Sequence, residues 1–242
     1  MNINKYNHIY QVLSSDIAEG KYEVGGVLPS EHTLVSVFEV SRETVRKALN
    51  LLRENGYIQK VKGKGSVVIY NPSMDFTVSH LTSFKEIQSL KTTQYSTNVV
   101  ELEQHFAQDF PKVMDALKIK PDEKIWQLIR ERKFNDKTHI VDTDFFMVDM
   151  MPGLTEEIAE DSIYEYIEDK LGLTIAYSHK EITFDPMNER DLELFGNALP
   201  RYTATVRSIV HLSNAQPFQY NISKHLANEF KFIDFSRRFH GE

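Results

Sequence analysis

Two pairs of arginines carry most of the chemistry this sequence offers. Arg42 and Arg46 stand four apart in SRETVRKALNLLRE, where Val45, Ala48, Leu49 and Leu52 make the apolar stripe of one helix. The two guanidinium groups therefore share a side the core does not use. Arg130 and Arg132 stand two apart in a strand-like run, so both face one side of a sheet. Each guanidinium presents a planar fork of donors that matches paired acceptor atoms, such as two phosphate oxygens. Asp142 and Asp144, about ten residues on and across a hairpin, share one face of the partner strand, where a carboxylate takes hydrogen bonds from sugar hydroxyls. Ser162 and Tyr164 fall at the start of a helix, a second place that favours phosphate. The plainer alternative is a set of cross-strand Arg–Asp pairs that only solvate a sheet edge.

The elements around the first pair follow from local rules. Ser41 is an N-cap and Asn55-Gly56 a left-handed stop, which predicts a helix over 42–54. Residues 57–61 and 66–70 are β-prone runs flanking Lys62-Gly63-Lys64-Gly65, giving a two-stranded ribbon with a basic tip. The start of such a helix fits a DNA major groove, where arginine matches the two acceptors of guanine, and the glycines let the ribbon come close to the neighbouring backbone or minor groove. That is a winged helix-turn-helix. A nucleotide-phosphate loop at Gly63-Lys64-Gly65-Ser66 is excluded: Ile58 stands where the first glycine is needed, and Gly65 follows Lys64 in place of Ser or Thr.

Upstream, Ile9, Leu13 and Ile17 predict a first helix over 5–19 that ends at Gly20. Ser30 caps a second helix whose Leu34, Val37 and Phe38 point at the core. Glu39-Val40-Ser41 makes the turn between helices. Glu31 and Glu43 orient the arginines or serve the helix dipoles, because an acid facing phosphate would repel it.

Composition sets the frame. At 242 residues, with 41% apolar and 26% charged side chains, the chain has room for two domains with a core each. It carries no cysteine, no signal-like start and no run long enough to span a bilayer, so a cytoplasmic protein is the expectation. The formal net charge of −7 is unevenly spread. Residues 1–70 hold nine Lys and Arg against seven Asp and Glu, and residues 41–70 hold seven against two, leaving the remainder strongly acidic. A basic head is joined to an acidic body. No metal-spaced His set, Ser-His-Asp set or cysteine nucleophile marks an enzyme, and neither a metal nor a cofactor is expected.

The motifs LPSEHTL, VSRETVRKAL, NGYI and GKGSVV together resemble the DNA-binding domain of the GntR family of bacterial transcriptional regulators, over residues 5–70. The resemblance implies that Arg42 and Arg46 read bases, that Ser30 and Thr44 hold phosphates, and that Lys62, Lys64 and Gly65 at the wing tip approach double-stranded, palindromic operator DNA. It also implies a homodimer.

Asn71-Pro72-Ser73 breaks the last wing strand. A winged helix-turn-helix over 1–70, a linker over 71–75 and a second domain over 76–242 are expected. In the second domain, strands are predicted over 98–105, 124–134, 138–148, 175–184, 202–212 and 218–226, and helices over 110–117, 162–171 and 189–195. A closing strand is expected around Phe230, Phe232 and Phe235. This is an α+β arrangement on a mainly antiparallel sheet.

The order of elements resembles the UTRA effector domain of the family's HutC branch, whose fold is similar to chorismate lyase. There the motif positions corresponding to Arg130, Arg132, Asp142, Ser162 and Tyr164 line a sugar-phosphate pocket. Gln219 and His225 stand where the branch often has Glu and Tyr, which argues against an amino sugar. LTSFKE, with Ser83 and Phe84, and FQYNISKH through KFIDFSRR are similar to trehalose operon repressors. That implies a repressor relieved by trehalose 6-phosphate, with the arginines on the phosphate and Gln219, Asp142 and His225 around the hydroxyls. A regulator sensing a different sugar phosphate, such as an amino-sugar phosphate, is the alternative, and an enzyme with a chorismate-lyase-like domain the lesser one.

Overall fold

The computed structural model describes residues 5–70 and 95–232, which fall into two compact units. Ser83, Phe84, the 71–75 linker and Phe235 lie outside the described residues.

In the first unit, α1 (Lys5–Ala18) buries Ile9, Leu13 and Ile17, as their spacing of four requires. The Ser30 hydroxyl accepts the Thr33 N–H and starts α2 (Glu31–Phe38), which stops at Glu39 in the left-handed region. The Ser41 hydroxyl does the same through the Thr44 N–H for α3 (Arg42–Glu54), whose buried face is Val45, Ala48, Leu49 and Leu52. These stripes meet in one core with Leu28, Ile58 and Val68. The ribbon is β1 (Ile58–Val61) and β2 (Gly65–Val68), and Val27 adds a bridge to Val67.

The second unit is a six-stranded, fully antiparallel sheet in the order β3-β4-β5-β8-β7-β6. Its strands are β3 (Ser96–Phe106), β4 (Lys124–Phe134), β5 (Lys137–Met147), β6 (Ile175–Pro186), β7 (Tyr202–Leu212) and β8 (Pro217–Leu226). One face is covered by α4 (Pro111–Leu117) on Ile125, Phe145 and Tyr220, and by Phe195, after α7 (Glu189–Leu194), on Ile129 and Val141. The other face packs Leu128, Phe146 and Val210 under Ala159 of α5 (Glu156–Glu160) and under Ile163 and Ile167.

The helix expected over 162–171 is two pieces, α6 (Ile163–Glu165) and a π turn (Tyr166–Lys170) in which the Leu171 N–H bonds the Tyr166 carbonyl. The closing strand does not form at Phe230 or Phe232. The Glu229 and Phe230 N–H groups both bond the Leu226 carbonyl in a turn, and the Phe230 ring packs on His225, centroids 5.2 Å apart. With β5 and β7 already flanking β8, that end of the strand has no open edge to accept another.

Candidate DNA-reading surface and effector pocket

On the first unit the predicted contact residues gather around one carboxylate. Arg42 Nε donates to Glu31 Oε2 at 3.0 Å, Arg46 Nε to the same oxygen at 3.2 Å, and Lys60 Nζ on the wing to Oε1 at 3.2 Å. The hydrogen bond from Arg42, followed by those from Lys60 and Arg46, holds the Glu31 carboxyl down to about 2 against the opposing effect of partial burial. Glu31 is thus the orienting acid, while Glu43 sits in the first turn of α3. Both arginines spend their Nε on Glu31 and stay largely exposed, with 70% and 50% of their side-chain surface open, which leaves the Nη groups for the edge that bridges guanine O6 and N7.

Lys62 and Lys64 are exposed at the ribbon tip. Gly65 has φ +104, and a Cβ there would meet Val27 Cγ1 at 3.2 Å, so the fold itself calls for glycine. Ser30 and Thr44, expected at phosphates, are engaged in the caps: Ser30 Oγ lies 2.8 Å from Thr33 Oγ1, and Thr44 Oγ1 2.8 Å from Ser41 Oγ. Glu31→Gln removes one negative charge and one of the two acceptor oxygens that Arg42, Arg46 and Lys60 share. Affinity for random duplex is expected to rise while the operator-to-random ratio falls roughly tenfold. Fluorescence anisotropy on both duplexes measures this; a parallel rise on the two would mean that Glu31 acts by charge alone.

In the second unit the register sets Arg130 opposite Asp142 and Leu128 opposite Asp144, and both arginines bond diagonally. Arg130 Nη2 donates to Asp144 Oδ2 at 2.6 Å, and Arg132 Nε to Asp142 Oδ2 at 3.1 Å. Arg132 Nη1 also donates to Thr97 Oγ1 on β3, and Arg130 Nη1 to the Ala159 carbonyl of α5 at 3.1 Å. The pairs of the plainer alternative therefore exist. They lie on inner strands, with Arg130 6%, Arg132 3%, Asp142 8% and Asp144 0% exposed, so they are not edge solvation.

Strand β8 completes the cluster with a polar side chain at every second position. Gln219 Nε2 and Asn221 Nδ2 donate to Asp144 Oδ1 at 2.7 and 2.8 Å, and Ser223 Oγ donates to Asp142 Oδ1 at 2.6 Å. Ser223 Oγ is also 3.1 Å from His225 Nε2, and the Tyr164 hydroxyl donates to Gln219 Oε1 at 3.3 Å. Ser162 caps the Glu165 N–H. The fold brings Arg130, Arg132, Asp142, Tyr164, Gln219 and His225 into one connected cluster.

Thr97, Asn221, Ser223 and the part played by Asp144 were not foreseen. The alternation Gln219, Asn221, Ser223, His225, with Phe218, Tyr220 and Ile222 between the first three, was the available signal; Thr97 had none.

Burial, and then the neighbouring Arg130, bring the Arg132 guanidinium down to about 10, still charged at neutral pH. Burial works to raise the Asp142 carboxyl, but Arg132, Arg130 and Ser223 hold it below its usual range. Burial also drives His225 down to about 4, against the pull of Asp142, so the imidazole is neutral. Because Ser223 gives its only proton to Asp142, the His225 contact is an Nε2–H donating to Ser223 Oγ. Because the Asp142 carboxylate, and not the imidazole, takes the Ser223 proton, this is not a nucleophile–base arrangement.

With two cations, two anions and a neutral imidazole, the cluster is balanced. One donor stands out, for Arg130 Nε is buried and no acceptor reaches it. A buried guanidinium N–H without an acceptor is costly, and an anionic oxygen in the pocket would satisfy it. Among the described residues, Glu101, Glu103 and His105 on β3 are grouped closely enough to hold a cation, away from this pocket, but Glu101 is already paired with Arg190 at 3.0 Å.

Comparison with known proteins finds a match for each of the two units. Bacterial regulatory proteins of the gntR family match residues 5–68, and the UTRA domain matches residues 91–231. The chain is 42% identical over 240 residues to the HTH-type transcriptional regulator TreR of Bacillus subtilis, covering 98% of this chain and 99% of that one. The crystal structure of the possible transcriptional regulator YydK from B. subtilis superposes with a TM-score of 0.79 at 28% identity, over 96% of this chain and 99% of that chain. The effector binding domain of the B. subtilis trehalose repressor gives 0.55 at 37% identity, over 60% of this chain and 99% of that chain. These relatives are regulators, not enzymes. The chain belongs to the gntR family of bacterial transcriptional regulators, with a winged helix-turn-helix that binds DNA and a UTRA effector domain.

Proposed function

We propose that the chain represses a trehalose-utilisation operon as a cytoplasmic homodimer on palindromic operator DNA, and that trehalose 6-phosphate in the UTRA pocket relieves repression. The observation that carries this is the buried Arg130 Nε without an acceptor, beside Arg132 and opposite a row of hydroxyl-binding side chains. The arginines take the phosphate; Asp142, Gln219 and His225 take sugar hydroxyls, with Ser162 and Tyr164 completing the site among the described residues. The likeness to the B. subtilis trehalose repressor supports this choice of sugar.

A dimer follows from the operator's symmetry, since two reading helices reach the major groove at half-sites about one helical turn apart. Coupling of about 1–3 kcal/mol between pocket and operator is enough for a useful switch.

Titration calorimetry with trehalose 6-phosphate, glucosamine 6-phosphate and trehalose tests the pocket. Tightest binding of the first and none of the last is expected; equal binding of trehalose with and without phosphate would exclude the reading. On the operator, Arg42→Ala or Arg46→Ala should lose about 1–3 kcal/mol of discrimination at one base pair, while Lys64→Ala weakens all duplexes alike. Base-by-base competition with operator variants separates the two effects.

A further inference from the structure

The polar surface of the pocket face extends beyond the cluster along a single row. Asp144 on β5 faces Asn221 on β8, Asn221 faces Ser208 on β7, and Ser208 faces Lys180 on edge strand β6. Directly opposed residues of antiparallel strands project to the same side, and the Asn221–Asp144 hydrogen bond fixes that side as the pocket's. The neighbouring rows turn apolar on β7, where Val210 follows Gln219, Val206 follows Ser223 and Ala204 follows His225.

Ser208 is therefore a hydroxyl set between Val206 and Val210 on one face of one strand. It is 6% exposed, no hydrogen bond from another described residue reaches its hydroxyl, and that oxygen keeps some contact with solvent. A hydroxyl between two valines, reachable from outside and not used by the protein's own side chains, can bond a ligand group that enters the pocket. Beside it, Asn221 gives its amide nitrogen to Asp144 and turns its carbonyl oxygen the other way. One hydroxyl and one amide oxygen, side by side, suit the hydroxyl groups of a sugar ring.

Resting on the sugar-phosphate reading of the pocket, we propose that Ser208 and Asn221 form the subsite for the distal ring of a disaccharide phosphate. Ser208 on β7 is three strands from Arg130 on β4, roughly 14 Å at the usual strand spacing. A phosphate on the arginines and a first ring over Asp142 and Gln219 leave a second ring over β8 and β7. A hexose 6-phosphate ends before it reaches Ser208.

The test is calorimetry on the full chain with trehalose 6-phosphate, glucose 6-phosphate and inorganic phosphate, comparing wild type with Ser208→Ala and Ser208→Val. Both variants are expected to bind trehalose 6-phosphate about tenfold more weakly, as for loss of one buried hydrogen bond, and to bind glucose 6-phosphate as wild type does. Retained glucose 6-phosphate binding shows that the variants are folded. Equal losses on the two sugars, or no loss on either, overturn the subsite while leaving the phosphate pocket standing. If wild type prefers neither sugar phosphate to trehalose, it is the underlying pocket reading that fails.

Discussion

Arg132→Ala is expected to destabilise the effector domain by about 3–5 kcal/mol and to abolish its preference for phosphorylated over unphosphorylated sugar. The stability loss follows from what remains behind. Asp142 is 8% exposed, and among the groups holding its carboxylate charged Arg132 contributes most. Without that guanidinium, a buried anion is left chiefly to Ser223 and the more distant Arg130. The loss of preference follows from geometry, because Arg130 alone offers no second fork on the same face. Urea melts followed through Trp126, the chain's single tryptophan and a residue of β4, report on this domain.

A fall in stability would also follow from a purely structural pair, so a second variant separates the two roles. Replacing Arg132 and Asp142 together by Met and Leu removes both charges and keeps the volume, a change that is often neutral for a buried pair. Stability should return to near wild type while the phosphate preference stays lost. If the double variant still prefers trehalose 6-phosphate to trehalose, the arginines belong to the fold and the anion binds elsewhere.

How much of this was legible in the sequence depended on whether one element or several had to be known. The caps at Ser30 and Ser41 and the stripe of α3 are local, and they came out where their residue types place them. The β4–β5 hairpin was equally local. Asn135 and Asp136 take the positive φ of 50° and 60° that a tight turn needs, and the alternation of Arg130 and Arg132 carried through to one face. The pocket was legible in part, since its arginines and aspartates share one hairpin. Insertion of β8 beside β5 joins residues some 80 positions apart, so nothing in the alternation from Gln219 to His225 said which strand it would face. Helix α5, with five residues capped by Thr155, is too short to show a period. Phe230 looked like strand because aromatics favour sheets, yet its ring is used against His225.

His225 leads to the second large effect, a loss of stability on mild acidification. Burial lowers its pKa from 6.5 to about 4 in the folded chain. Between those values the unfolded chain binds a proton that the folded chain refuses, so stability rises with pH across the window and falls as the solution is acidified. From pH 7 to pH 5 the effector domain should lose about 2 kcal/mol from this residue, and about 3 kcal/mol once pH reaches 4. Asp142 acts with the opposite chemistry but in a separate range. Its depressed carboxyl gives stability that is complete above the ordinary value of 3.8 and drains away only below it. His225→Gln keeps a donor for Ser223 and cannot take up a proton, so its Trp126-monitored urea midpoint should change less between pH 7 and pH 5 by the His225 share. An unchanged pH dependence in that variant would mean that the imidazole is charged, or hydrated, in the folded domain. The neutral Nε2–H donor to Ser223, and with it the net-neutral pocket into which a phosphate must bring its own charge, would then be wrong.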